Sequence, residues 1–344
     1  MGFKRLEVDD FVVSAQAQTS TCWSYNVPTL LSFFTQSNQI GGASGKYYAT
    51  VFNQDPVSSS AQAQFEIAYG NKNGSGSLAF NEFAAPGVSP ASTIYGQYRT
   101  LVLEDENSGF TFGGVSGSSV YALSVERSRY KQSLFPGSLN LTLRGITGDG
   151  PTTLKLTDDS NMVTIPTYYG TMRAYQIISG SLGSSYNSIT GGKGYTTNSG
   201  SYGLFLPDIG TILLNGDALD LNTDQGINLS TNKNPNSNGN NPLKLLKAIQ
   251  SGSAFSLNSE ETITSDFIFV RARNSEFNYS ENPSYISGST GEVIYNYFIN
   301  NPQTYMTTVG LYNDSNELLA VAKLSKPLNK DFTKEALIRV KLDF

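Results

Sequence analysis

Three groups of carboxylates have the type and spacing to do chemistry: Asp158 with Asp159, Glu260 with Glu261, and Glu104 with Glu106. Glycoside hydrolysis asks only for two acids flanking a bond, one as proton donor and one as base or nucleophile. Closeness along the chain does not fix separation in space, and acids in β proteins commonly mark turns and strand edges. Other centres are harder to write. The chain has no histidine, which removes Ser-His-Asp and Cys-His nucleophiles and the commonest zinc ligand. Cys22, the one cysteine, has no disulfide partner and no imidazole to activate it. Beside Trp23, the one tryptophan, it reads as a buried pair in a strand. The run Gly41–Tyr47 is glycine-rich like a phosphate loop, yet it lacks the four-residue spacing and the Ser/Thr after Lys46. Asp314 and Glu317 have calcium-ligand chemistry without a twelve-residue loop around them, so a solvated turn accounts for them. The expectation is a non-enzymatic protein with no cofactor and no metal.

Residues suited to contact lie in the last third of the chain. Over Asp266–Arg273, Phe267, Phe269, Arg271 and Arg273 share one face of a strand, and Ile268, Val270 and Ala272 share the other. The aliphatic row would face a core. The Phe/Arg row would face outward, and both residue types are enriched where proteins meet. The polar-aromatic run Asn274–Pro283, with Phe277 and Tyr279, would lie extended along a neighbour, or else form an internal loop capped by arginine hydrogen bonds. Both readings stay open.

Tyr305–Tyr312 and Glu317–Leu324 are β-rich runs around Asn313-Asp314-Ser315-Asn316. Asn and Asp bond their own backbone and tolerate left-handed conformations, which predicts a hairpin over 304–325 with Tyr312, Asn313 and Asp314 at its tip. Lys323 and Lys326 begin a basic end with Lys330, Lys334, Arg339 and Lys341, against Asp331, Glu335 and Asp343. That excess suits an acidic neighbour, and it also suits lysine-guarded sheet edges. The candidate interface is therefore Phe267, Phe269, Arg271, Arg273, Asn274, Phe277, Tyr279, Tyr312, Asn313, Asp314, Lys323 and Lys326.

The elements that must position these residues read as short strands. They are expected at Lys46–Asn53, Ala61–Tyr69, Thr93–Glu104, Ser138–Arg144, Thr152–Thr157, Thr171–Ser179, Gly203–Asn215, Phe255–Leu257 and Ala336–Phe344. In Ala61–Tyr69, Phe65, Ile67 and Tyr69 alternate with Gln62, Gln64 and Glu66, the period of a half-buried strand. Ser118–Leu134, stopped by Pro136-Gly137, reads as a helix. A second helix has Asn241 as N-cap, Pro242 at the first position, Leu243, Leu246 and Ile249 at helical spacing, and Gly252 as its end. Residues 222–241, rich in Asn, Ser and Gly, read as an exposed loop or linker. It would divide a β-rich region 1–221, itself breaking near 136–150, from a C-terminal β region 242–344 with hairpin 304–325 and terminal strand 335–344. The fold class is mainly β: antiparallel sandwich or barrel-like domains with one or two short helices. No period of 20–50 residues repeats, which excludes a propeller or solenoid.

Composition agrees. Charged residues are 15% of the 344, against about 25% in ordinary soluble domains. Tyr and Phe number 20 and 19, a balance that suits half-exposed sheets with many turns. A net charge of −5 argues against a nucleic-acid partner. No apolar run approaches a membrane span, and the charged Met1–Asp10 does not read as a signal peptide, so export through a Sec-type route is not expected. One cysteine fits folding in a reducing cytoplasm.

The segment Thr308–Leu324 resembles the hairpin of fibre-collar and baseplate-associated proteins of contractile-tailed phages, in which a Gly-Leu-Tyr/Phe strand, an Asn/Asp-rich turn and a Leu-Leu-Ala-Val-like strand recur. Phe3–Ser14, Ile94–Arg99, Glu126–Gly137, Ser199–Asp208 and Phe269–Ser280 extend the resemblance to virion structural proteins of contractile-tailed cyanophages over nearly the whole chain. It implies a protein made in the host cytoplasm that ends in the virion, in tail or baseplate. Its partners would be other tail proteins, met in multiple copies within a symmetric assembly. Competing expectations are a receptor- or glycan-binding tail protein, a neck or head structural protein, and a polysaccharide depolymerase.

Overall fold

Runs of Val, Ile, Leu and aromatic residues broken by Gly and Asn favour strands and tight turns. The computed structural model is accordingly mainly β, 41% strand and 16% helix, with antiparallel sheets that include a curled half-barrel. It describes residues 3–36, 47–80, 87–145, 153–180, 200–221, 225–280 and 282–343. Two compact units form, residues 18–261 and residues 1–17 with 262–344.

Strand β1 (Phe11–Thr21) begins in the smaller unit and ends in the larger. The larger unit continues with β2 (Tyr48–Phe52), β3 (Ala63–Asn71), helix α1 (Pro90–Leu103), β4 (Thr111–Phe112), β5 (Val115–Ser116), β6 (Ser119–Val125) and β7 (Ser133–Leu134). Then come β8 (Asn140–Arg144), β9 (Thr153–Asp158), β10 (Thr167–Tyr169), β11 (Met172–Ser179), β12 (Gly203–Leu206) and β13 (Thr211–Asn215). Helices α2 (Gly216–Leu219) and α3 (Asn241–Gly252), strand β14 (Ala254–Ser256) and the start of β15 (Asn258–Ala272) complete it. The smaller unit adds the rest of β15, a short α4 (Asn296–Asn300), β16 (Thr304–Tyr312), β17 (Leu318–Lys330) and β18 (Ala336–Asp343).

The larger unit is built on one antiparallel sheet in the order β14-β8-β9-β11-β12-β13-β6-β3-β2, with β10 paired to β11. Side chains alternate between its faces. On β6, Tyr121, Leu123 and Val125 enter one apolar cluster with Trp23, Phe65 and Phe255, while Val120 and Ala122 enter a second with Tyr95 and Val102 of α1. Both faces being covered, the central strands lose the polar half of the alternation. The Trp23 ring lies 4.8 Å from Phe255, and Phe65 lies 5.3 Å from Phe255, spacings of attractive aromatic pairs.

That double burial explains the main corrections. Ser118–Leu134 is not a helix: β6 runs between β3 and β13, followed by a single 3-10 turn at Arg127–Arg129 and the short β7. Thr93–Glu104 is not a strand but most of α1. Ser89 caps it, its backbone N–H donating to Ser92 Oγ at 3.1 Å, and Pro90 takes the first position. Ala91, Tyr95 and Val102 form its buried stripe. The β-branched Thr93 and Ile94 favoured a strand, and the cap with helical spacing prevails. Gly203–Asn215 holds two strands joined at Pro207–Ile209. Gln64, on the expected polar face of β3, is fully buried. Its Oε1 accepts from Ser24 N at 3.1 Å and its Nε2 donates to Gln62 O at 2.8 Å.

The division also differs from the expected one. The compact units part at 17/18 and 261/262, not at 222–241. Ile227 and Leu229, the apolar residues inside the Asn-rich run, are buried in the larger core together with Leu245, Leu246 and Ile249 of α3. Asn241 is buried one position after the cap, Asn240. Its Oδ1 accepts from Asn232 N at 2.9 Å and its Nδ2 donates to Asn232 O at 3.0 Å. The run is further fixed by Gly76 N donating to Asn234 O at 2.9 Å. Among its described residues the longest exposed stretch is Lys233–Asn236, with Ser230 and Asn240 exposed singly. Near the other expected break, β8 and β9 pair within the same sheet. The glycine-rich run over 41–46 and residues 222–224 lie outside the described residues.

Cys22 is buried beside Trp23, just past the end of β1. Burial pushes its thiol up to about 12, from about 8.5 for a free thiol. The folded state thus favours the protonated thiol. The associated stability is fully present below pH about 8.5 and is lost as the pH rises towards 12. A disulfide reagent such as dithionitrobenzoate should leave the native thiol unlabelled at pH 8 and label it at once in denaturant. Fast native-state labelling would show that Cys22 is not in this core.

Candidate interaction surface

In the smaller unit β1, β15 and β18 form a sheet in that order, and β16 and β17 form a separate hairpin. Ile268, Leu311, Ile338 and Val340 are the buried centre of its apolar cluster, with Leu6, Val309, Ala322 and Leu342 packed around them. Alternation along β15 sends Ile268 and Ala272 inward; Phe267 and Phe269 are half-buried, and Arg271 and Arg273 are exposed. The outward row is tied down. Arg339 of β18 stands over the Phe267 ring at 5.4 Å, and Arg271 lies 3.7 Å from Glu335.

After β15 the chain closes into a compact turn. Glu276 Oε2 accepts from Arg273 N at 2.8 Å and pairs with Lys4 Nζ at 2.8 Å. The Lys4 ammonium holds the Glu276 carboxyl below its usual range. Asn278 Nδ2 donates to Asn274 O at 2.6 Å, and Phe277 takes a left-handed φ of 55°. The fixed centre is Lys330. Its side chain has no exposed surface, and its Nζ donates to Asn274 O at 2.9 Å, Asn278 Oδ1 at 2.8 Å and Asp331 O at 2.9 Å. Of the two readings of 274–283, residues 274–278 therefore follow the internal-loop one, capped by Lys330 and Asn278 in place of arginine. Tyr279 is exposed beyond it.

At the hairpin tip, Asn313 Oδ1 accepts from Ser315 N at 3.0 Å and Glu317 N at 2.8 Å, and Asn316 has φ 61°. Asp314 points into solvent, and Tyr312 packs edge-on against Phe3 at 5.0 Å. Lys323 and Lys326 are exposed. Strand β17 runs through Pro327 to Lys330, absorbing it in a register shift opposite Met306 and Thr308. Tyr312 pairs with Leu318, Leu319 is the extra residue at the register shift beside them, and with Val321 all are exposed, Leu319 at 68%. Sequence reasoning missed this apolar group, although Leu318 and Leu319 in succession break the alternation of a one-faced strand. Lys330 carried no local signal.

Four of the six carboxylate candidates have structural partners. Asp158 is fully buried and accepts from Gly137 N at 2.9 Å and Ser160 N at 3.2 Å; burial pushes its pKa up. Asp159 accepts from Gln176 N at 2.9 Å. Glu260 lies 3.6 Å from Arg173, and Glu261 pairs with Lys131. Glu104 ends α1 in a left-handed conformation, and Glu104 and Glu106 are both exposed. Among the described residues no group of three His, Cys, Asp or Glu side chains could hold a metal ion, and no helix is long and apolar enough to cross a membrane. Comparison with protein-family models, with curated proteins and with solved structures returned no match.

Replacing Lys330 by Met keeps the packed stem and removes three charge-assisted bonds. It should destabilise the smaller unit by about 2–3 kcal/mol and raise hydrogen exchange at 274–279. Unchanged protection there would show that the ammonium does not hold the turn.

Proposed function

We propose that this chain is a non-enzymatic structural component of a contractile phage tail, in the baseplate region, and that it works through protein–protein contact. The observation that carries the assembly reading is the poverty of the smaller unit's interior. Among the described residues its buried apolar side chains are Ile268, Ala272, Phe298, Leu311, Ala336, Ile338 and Val340, and none of these is less than 4% exposed. Meanwhile more than half of the exposed large hydrophobic side chains among the described residues belong to it. Monomers rarely leave so much apolar surface in water, and assembly subunits do. The tail and baseplate assignment rests on the resemblance of Thr308–Leu324 and the other segments quoted for it.

A second reading, a glycan-binding tail protein, is favoured by one cluster. Tyr285 lies 5.6 Å from Tyr295, which lies 5.4 Å from Tyr297, and the last two are exposed. Such rings can stack on sugars.

Antibody raised against the chain should decorate the tail end of negatively stained particles. Decoration of heads alone would reject the tail assignment. A glycan array should give no binding above background; saturable binding lost in Tyr297→Ala would favour the second reading.

A further inference from the structure

We propose that β1, over Phe11–Ala17, is a strand-addition edge that pairs antiparallel with β1 of a second copy of this chain. The inference deepens the reading that the protein works through its surfaces, and it names one of them. In the sheet order β1-β15-β18, β1 is the end strand and pairs with β15, and its other edge has no strand partner among the described residues. It is also exposed on both faces, with Val12 at 48% and Val13 at 69%.

Open edges invite pairing, and proteins that need to stay single guard them with charge, proline or bulges. The smaller unit guards the others. Strand β18 carries Arg339 and Lys341 outward, and β17 carries Lys323, Lys326 and Pro327. Strand β16 is interrupted by register shifts at Met306/Thr308 and Leu311/Tyr312. The run Phe11-Val-Val-Ser-Ala-Gln-Ala17 has neither charge nor proline.

Its sequence also indicates the occupant. Across a two-fold axis each residue meets the same strand reversed, so any charged position risks facing its own kind. A neutral strand escapes this and gives an oppositely charged partner nothing to grip. Self-pairing centred on Ser14 puts Phe11 opposite Ala17 and Val13 opposite Ala15, a bulky residue beside a small one each time. Val12 meets Gln16 on the other face, and Ser14 meets itself.

Sedimentation of the full chain at micromolar concentration should show a dimer. The double variant Val13→Lys with Ala15→Lys sets like charges opposite each other and should weaken dimerisation at least about tenfold. Val57→Lys, on an exposed turn of the larger unit, should leave it unchanged. Because a lysine variant could misfold, Ser14→Cys gives a second arm. Facing residues of an antiparallel pair lie within disulfide reach, so oxidation should cross-link this variant as a dimer, with Val57→Cys as the unlinked control. A monomeric wild type, a dimer indifferent to the lysines, absent Ser14→Cys cross-linking, or pairing of this edge only with another protein would each overturn the proposal. Tail labelling by a protein that stays monomeric would sink this edge and leave the tail assignment standing; a dimer absent from tails would do the reverse.

Discussion

Fixing each residue costs on the order of 1–2 kcal/mol of backbone entropy, and removal of apolar surface from water is the main term that offsets it. Residues 18–261 meet this demand with a sheet covered on both faces and aromatic rings packed at its centre. Residues 1–17 and 262–344 meet it poorly. Their cluster has four buried members, each still slightly wet. Such a unit is held by what it has besides an interior: a long antiparallel pairing of β15 with β18 over Ser265–Ala272, a hairpin closed by Asn313, and a buried ammonium. The surface left over is the surface on which the proposed function rests.

Scarcity of charge has a structural counterpart. With 15% charged residues, polar groups inside the fold are satisfied largely by neutral amides and hydroxyls bonded to backbone. Gln64 serves Ser24, Asn241 serves Asn232, and Ser259 Oγ accepts from Lys131 N at 2.8 Å. Each bond fixes one loop against one element, and an unmade bond at a buried position would be costly. At these positions geometry is specified without ion pairs that salt would weaken. Lys330, the one buried lysine among the described residues, follows the same logic, with three oxygens around its ammonium and no carboxylate among them.

Much of the β character was legible. The hairpin, the terminal strand, α3 and the inward aliphatic row of β15 follow from turn chemistry, capping and periodicity, which act within a few residues. What failed involved distance. The strand β6 looks helical because its alternation is erased by cover on both faces, and that cover comes from α1 and from residues as far away as Phe255. Helix α1 is the exception, because the Ser89-Pro90 cap and the spacing of Ala91, Tyr95 and Val102 are local helix signals set against the β-branched Thr93 and Ile94. The low-complexity run hid two apolar residues, Ile227 and Leu229, which are buried in the larger core. The knot around Lys330 joins positions 52 and 56 residues apart, and no local pattern announces it.

The Asn-rich strap from Ser230 to Asn241 carries an evolutionary consequence. Composition would let such a stretch drift in length, as spacers do. Here the Asn241 amide grips both backbone groups of Asn232, and Gly76 meets Asn234. Gly76 itself has φ 85° and sits where a side chain would collide with the Asn232 carbonyl. A one-residue insertion between these anchors would slide every grip out of step at once. Exchanges of residue at the exposed middle should be tolerated across descendants of this chain, while insertions and deletions are purged.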